Sequence, residues 1–214
     1  MDEAEARAWL VSTFDVPRET LQRLDAFVAL LRTENERQNL VSRSSLDAMW
    51  SRHIADSAQL LLHASAAAGS WIDLGTGAGF PGLMAALLHP AAVTMVEERR
   101  KRVEFLSAAR ETLQLPERTR ILGSRVEVVE PAKYDVISAR AFAPLDRLLA
   151  LGERFATPQT RWVLPKGRNA KTELAAAEAS WQGEFRLEPS LTDADAWIIV
   201  AEGVRRRAKG KSKR

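Results

Sequence analysis

The segment WIDLGTGAGFPG, Trp71 to Gly82, sets four glycines into twelve residues directly behind a short apolar run. Each glycine gives up backbone stiffness, so a chain concentrates them where it must turn sharply or let a ligand lie against its main chain. Gly75, Gly77 and Gly79 serve the turn and bring the amides of Gly75-Thr76-Gly77 towards a ligand. Gly82 permits close helix packing, and Pro81 suits the first turn of the helix that follows. A strand, a glycine turn and a helix in this order belong to a sheet whose ligands lie beyond the carboxyl ends of its strands.

The rest of the chain has the same grammar. After Trp71 the apolar runs WIDL, AVTMVE, ILGS, YDVISA, TRWVLP and AWIIVAE read as strands. Helical stretches near 82–89, 99–114, 144–156 and 169–182 lie between them. Alternation of this kind predicts an α/β fold, a doubly wound, mainly parallel sheet with helices on both faces. Before it, residues 3–13, 18–38 and 44–63 read as helices. The second carries Leu21, Leu24, Phe27, Val28 and Leu31 on one face behind Pro17. There is no long linker and no repeat. The expected organisation is therefore an N-terminal helical extension over 1–68, a Rossmann-like domain over 69–204 and a disordered basic tail over 205–214.

The net charge is +3, and its distribution says more than its sum. The tail RRRAKGKSKR holds seven of the 31 basic residues, which leaves a body of 24 bases against 28 acids. Such a tail is either an arm for RNA phosphates or a solvated terminus, and composition leaves both open. Zero cysteines exclude disulfides, thiolate metal sites and a cysteine nucleophile. With His53, His63 and His89 scattered, no metal site is expected. Neither a signal peptide nor a long apolar run is present, so a cytoplasmic chain without membrane contact is expected.

The loop Gly77-Ala-Gly79-Phe-Pro-Gly82 also satisfies the dinucleotide fingerprint, so nicotinamide binding has to be weighed. Two acids bear on the choice. Asp73 precedes the loop, where it would repel a pyrophosphate and attract a cationic sulfonium amino acid, as in S-adenosylmethionine. The competing role for Asp73 is to cap the helix that starts some eight residues later. Glu97 ends the second strand about twenty residues on, the place for a carboxylate that accepts ribose hydroxyls in either cofactor. A charged helix start is its plainer reading. At the end of the third strand, Arg125 to Glu127 can meet an adenine or form a surface ion pair.

The fourth strand runs into Ser138-Ala-Arg-Ala-Phe142 in place of the Asn/Asp-Pro-Pro-aromatic run that orients exocyclic amines. Without a cysteine, pyrimidine C5 chemistry is also disfavoured. A purine ring nitrogen such as guanine N7 remains, an open acceptor with no proton to remove. Catalysis then consists of alignment and desolvation, with Arg140 as a positioning residue and no general base. A structural ion pair is the plainer reading of Arg140, and Lys166 and Arg168 are expected to bind RNA phosphate, against the plainer reading of a solvated loop.

In this order, the chain carries NLVS at 39–42, RHIADS at 52–57, DLGTGAGFPG at 73–82, VEERRKRVEFL at 96–106, SRVEV at 124–128, ISARAF at 137–142 and PKG at 165–167. With these blocks it resembles the ribosomal RNA small subunit methyltransferase G family, also called glucose-inhibited division protein B. The resemblance spans roughly 39–171. It implies a Rossmann-like S-adenosylmethionine-dependent methyltransferase that methylates guanine N7 in small-subunit (16S) ribosomal RNA, as free RNA or as a particle; separately from the resemblance, a monomer is expected. It also implies cofactor contacts at Gly75, Phe80, Val126, Glu127 and Arg140, beside Asp73, Thr76, Gly77 and Glu97 of the glycine loop and the second strand. Glu97 stands where the family often has an aspartate. Arg52, His53, Asp56 and Ser57 are expected either at the substrate entrance or as pins between the helical layer and the sheet, with a satisfied structural histidine as the plainer reading of His53. Three rival readings stand beside this one: a methyltransferase for another RNA, a small molecule or a protein; a nicotinamide oxidoreductase; and a non-catalytic RNA-binding module.

Overall fold

The structure, a computed structural model, describes residues 1–208. Three helices open the chain: α1 (Glu3–Phe14), α2 (Arg18–Gln38) and α3 (Arg43–Leu46). Asp2 and Glu5 start α1 with reciprocal side-chain to backbone hydrogen bonds of 2.8 Å, which satisfies two otherwise unpaired N–H groups. Leu24, Phe27, Val28 and Leu31 form the buried stripe of α2. The stretch expected as one helix over 44–63 is helical but not uniform. After α3 it passes through a π-helical turn at Trp50–Ala55, the short α4 (Asp56–Ala58) and a 3-10 turn at Gln59–His63. Widened turns of this kind re-aim side chains, and here the turn delivers Arg52, His53 and Asp56 to one place.

The sheet domain follows as β1 (Ser70–Leu74), α5 (Gly82–Leu88), β2 (Ala92–Glu97), α6 (Arg100–Thr112), β3 (Arg120–Gly123), β4 (Val136–Ser138), α7 (Leu145–Gly152), β5 (Arg161–Lys166), α8 (Ala170–Ala177), β6 (Trp181–Pro189) and β7 (Trp197–Arg206). The strand order is β3-β2-β1-β4-β5-β7-β6. The first five strands are parallel, and β7 runs antiparallel to both β5 and β6. Chain order reverses between β1 and β4, which opens a crevice at their carboxyl ends.

Alternation along the strands fills two cores. Trp71, Met95, Val136, Val163 and Val200 face α5, α6 and the N-terminal helices. Ile72, Val96, Ile137, Trp162 and Ile199 face α7 and α8. The helical layer therefore shares a core with one face of the sheet. Among the described residues no helix is long and apolar enough to cross a membrane.

Two sequence expectations are corrected here. The helix expected over 169–182 ends at Ala177, and Trp181 begins an edge strand, β6. That strand carries Gly183 and a register shift between Gln182 and Glu184, so it lacks the alternation that marks a buried strand. The basic tail expected from 205 begins inside β7, which runs to Arg206. The Arg206 guanidinium lies 4.6 Å from the Trp181 ring centre, and Arg207 Nε donates to the carbonyl of Glu178 at 2.6 Å. The rest of the expected tail, 209–214, lies outside the described residues.

Trp181 is fully buried, and its Nε1–H donates to Asp146 at 2.8 Å. Trp181→Ala is expected to lower unfolding free energy by about 3–5 kcal/mol in urea denaturation. A loss below about 1 kcal/mol would mean that β6 is not anchored in this core.

Candidate active site

The chain leaves β1 with Gly75, Gly77 and Gly79 at φ of 66°, 60° and 93°, a region that L side chains rarely adopt. A Cβ at Gly75 would overlap the Phe142 ring. The Thr76 N–H donates to Val96 at 3.0 Å, and the Gly77 N–H donates to the Glu97 carboxylate at 3.0 Å, so β2 braces the turn.

Asp73 is not positioned as its charge suggested. It is fully buried, its Oδ2 accepts from the Gly82 N–H at 3.0 Å, and its Oδ1 accepts from the Ser138 hydroxyl at 2.7 Å. Ser138 in turn accepts from Trp71 Nε1 at 2.8 Å. Burial pushes the Asp73 carboxyl above its usual range against these donors. Its part is to hold the start of α5, across a turn that the nine-residue separation in sequence disguised. The Phe80 side chain also lies within the fold. It is buried, with Phe27 at 5.8 Å and His53 stacked at 5.2 Å, and it meets the Arg140 guanidinium at 5.1 Å. It is the bed on which Arg140 rests.

Two cavities open at the carboxyl edge. The first, about 570 Å³, brings together Gly75, Glu97, Val126 and Glu127. That size suits a nucleoside-sized ligand. The Glu97 oxygens accept from Gly77 and, at 2.8 Å, from the Arg99 N–H, and each keeps a second lone pair for a hydroxyl donor. Arg154 fixes the turn that carries Val126 by donating to the Glu127 carbonyl at 2.6 Å. The Glu127 carboxyl lies below its usual range, held there by its own N–H and by Arg125 and Arg147 at 3.6 and 3.9 Å.

The second cavity, about 560 Å³, holds Arg52, Asp56, Arg140, Lys166, Thr192 and Asp193 in its wall. Ala141, Phe142 and Ala143 border both cavities. Arg140 is clasped by the helical layer. Its Nη1 donates to Asp56 at 3.1 Å and to the Arg52 carbonyl at 3.3 Å, and its Nη2 donates to His53 Nδ1 at 3.0 Å. His53 Nε2 therefore carries the ring proton, which it donates to Ser45 Oγ at 2.9 Å. Burial, then the charges of Arg140 and Arg52, lower its pKa to about 3.

The basic residues expected on RNA divide. Lys166 is corrected: it is mostly buried, and its Nζ donates to the Ala143 carbonyl at 3.0 Å and to Glu173 at 2.8 Å. It braces the loop between the cavities rather than offering a free charge. Arg168 is exposed, and Arg52 pairs with Asp193 at 2.8 Å while half its side chain remains accessible. Asp56 carried a signal in the RHIADS block. Thr192, which meets it across 136 residues of sequence, and Gln59, three residues away, carried none.

Asp73→Asn removes an acceptor from one of two buried donors and is expected to cost about 1–3 kcal/mol of stability by chemical denaturation. The lowered pKa of His53 means that the fold favours the neutral ring. That stability is complete above about pH 6.5 and is lost as the pH falls towards about 3. An NMR titration should find His53 neutral at about pH 5, and half-protonation near its ordinary value of 6.5 would contradict this packing.

The family model for rRNA small subunit methyltransferase G matches residues 20–193. The ribosomal RNA small subunit methyltransferase G of Rhizorhabdus wittichii is 50% identical over 216 residues, covering 100% of this chain and 99% of that protein. The one from Zymomonas mobilis is 50% identical over 209 residues, covering 94% of each. Among solved structures, a TehB-like SAM-dependent methyltransferase from Corynebacterium glutamicum superposes with a TM-score of 0.57 at 17% identity, over 80% of this chain and 98% of that one. Likeness at that identity bears on the fold alone, and the fold is the Rossmann-like one of S-adenosylmethionine-dependent methyltransferases. Sequence identity along the whole chain goes further than shape, and on it the chain belongs to the rRNA small subunit methyltransferase G family.

Proposed function

We propose that this chain methylates N7 of a guanine in small-subunit ribosomal RNA, with S-adenosylmethionine in the first cavity and the RNA base presented from the second. Membership of the family carries the reading, and the pair of cavities meeting at Phe142 is the geometry it needs. The donor supplies a methyl group on a cationic sulfonium, which departs as a neutral thioether.

The chain's own residues bind and align. Glu97 accepts from the ribose hydroxyls, the Gly75-Thr76-Gly77 backbone flanks the amino acid portion, and Val126 and Glu127 border the adenine. Thr76 acts through its main chain, its side chain being buried. Arg140, in the wall of the second cavity and next in sequence to the residues that border both, acts as a positioning group. Guanine N7 brings a lone pair and no proton, so no residue has to act as a base. His53 is consistent with this, since its free lone pair is already taken up by Arg140. Arg168 and Arg52 supply positive charge for RNA phosphates. A cytoplasmic monomer working on ribosomal RNA or an assembly particle completes the reading.

Transfer of labelled methyl groups should be measured on small-subunit particles, naked ribosomal RNA and tRNA, followed by mapping of the modified nucleotide. Label at N7 of one guanine in the small-subunit RNA is expected, and label confined to tRNA or a small molecule would overturn the proposal. Glu97→Gln should raise the donor Kd about tenfold by calorimetry, the loss of roughly one charged hydrogen bond. Gly75→Arg should abolish transfer, whereas a non-catalytic RNA-binding module would keep its function.

A further inference from the structure

Arg140 comes from the connection between β4 and α7, yet what orients it lies elsewhere in the chain. Asp56 divides its carboxylate. Oδ2 accepts from Arg140 Nη1 at 3.1 Å, while Oδ1 accepts from the Thr192 hydroxyl at 2.8 Å and from Gln59 Nε2 at 2.9 Å. Thr192 belongs to the connection between β6 and β7. Gln59 ties that connection down, because its Oε1 accepts from the Leu191 N–H at 2.8 Å and its Nε2 donates to Ser190 Oγ at 3.1 Å. Gln59 is 1% exposed and Thr192 9% exposed, so these bonds are sheltered from water. Arg52 repeats the pattern on a second path: its carbonyl accepts from Arg140, and its guanidinium pairs with Asp193 of the same connection.

We propose that Thr192 and Asp56 form a positioning relay for Arg140, in which a hydroxyl from the β6–β7 connection fixes the carboxylate that aims the guanidinium. The proposal rests on the reading that Arg140 faces the transfer chemistry. A carboxylate held at one oxygen turns about its Cβ–Cγ bond, and one held at both does not. Removing the Thr192 donor leaves Oδ1 with Gln59 as its one donor, so the carboxylate is held less firmly. Arg140 then keeps Phe80 and His53 beneath it but is aimed by a looser partner. Ser190, Thr192 and Asp193 also border the second cavity, so whatever occupies that cavity touches the relay. Neither Thr192 nor Asp56 is assigned contact with the reacting atoms. Both act through Arg140.

The test uses the full chain with two readouts. In the first, the guanidinium signals of Arg140 are assigned by their disappearance in Arg140→Lys and followed by nitrogen-edited NMR. Slow guanidinium rotation is expected in the wild type and in Thr192→Ser, and faster rotation in Thr192→Val and Asp56→Asn. In the second, methyl transfer to small-subunit RNA is measured. Thr192→Val should lower kcat about tenfold, the worth of one charge-assisted hydrogen bond, with the donor KM within about twofold of wild type. Thr192→Ser should restore the rate, and adding Thr192→Val to Arg140→Lys should cost little more. A guanidinium signal that is unchanged in both Thr192→Val and Asp56→Asn overturns the relay. So does a double variant whose losses are additive. If the wild type transfers no methyl to RNA, the functional reading fails, while the NMR arm still decides the relay. Thermal melts of each variant are run alongside, and if Thr192→Val does not fold, Asp56→Asn decides the same point.

Discussion

The buried carboxylate of Asp73 is the point on which the architecture turns. A charge removed from water is costly unless donors meet it, and here the Gly82 N–H of α5 and the Ser138 hydroxyl of β4 do so, with Ser138 held in turn by the Trp71 indole of β1. These are the elements that flank the switch point of the sheet. By joining them, Asp73 ties down both ends of the glycine turn and sets where the crevice opens. Gly82 has to lack a side chain because a Cβ there would press on both Asp73 and Met95. The amino acid that draws attention by its charge is thus bonded wholly within the scaffold.

Around that fixed turn, the site is assembled from parts that do not fold together locally. The sheet supplies Glu97 and the connections after β1, β3 and β4. The N-terminal layer supplies Asp56, His53 and the Arg52 carbonyl to hold Arg140. The antiparallel pair β6 and β7 supplies the connection with Thr192 and Asp193. Phe80 links the helical layer to Arg140, since it is buried with Phe27 of α2 and supports the Arg140 guanidinium. The N-terminal helices therefore help to build the candidate site, and the placement of Arg140 depends on their packing.

Much of this was legible before any coordinates. The glycine spacing and the alternation of apolar runs with amphipathic stretches predicted the doubly wound sheet, because both patterns report local backbone demands. Glu97, Val126 and Glu127 fall at the ends of predicted strands, and those ends converge by the rules of parallel sheets. The edge strand β6 escaped notice because an edge needs no alternation and carries a bulge. The arginines after residue 204 looked like a tail because composition records their charge and not the Trp181 ring that one of them covers.

Charge read along the chain misled where burial decides its meaning. Asp73 and Lys166 are charged residues beside a crevice, and in sequence nothing distinguishes a side chain that points into it from one that points beneath it. The sequence by itself determined the fold class, the glycine turn and the family, since these rest on local spacing and on the order of motifs. Only the tertiary structure decided which polar groups face the cavities and which hold the scaffold, and that Thr192 meets Asp56 across 136 residues. Such pairings are set by packing in three dimensions, where a hydrogen bond depends on distance and direction and not on separation along the chain.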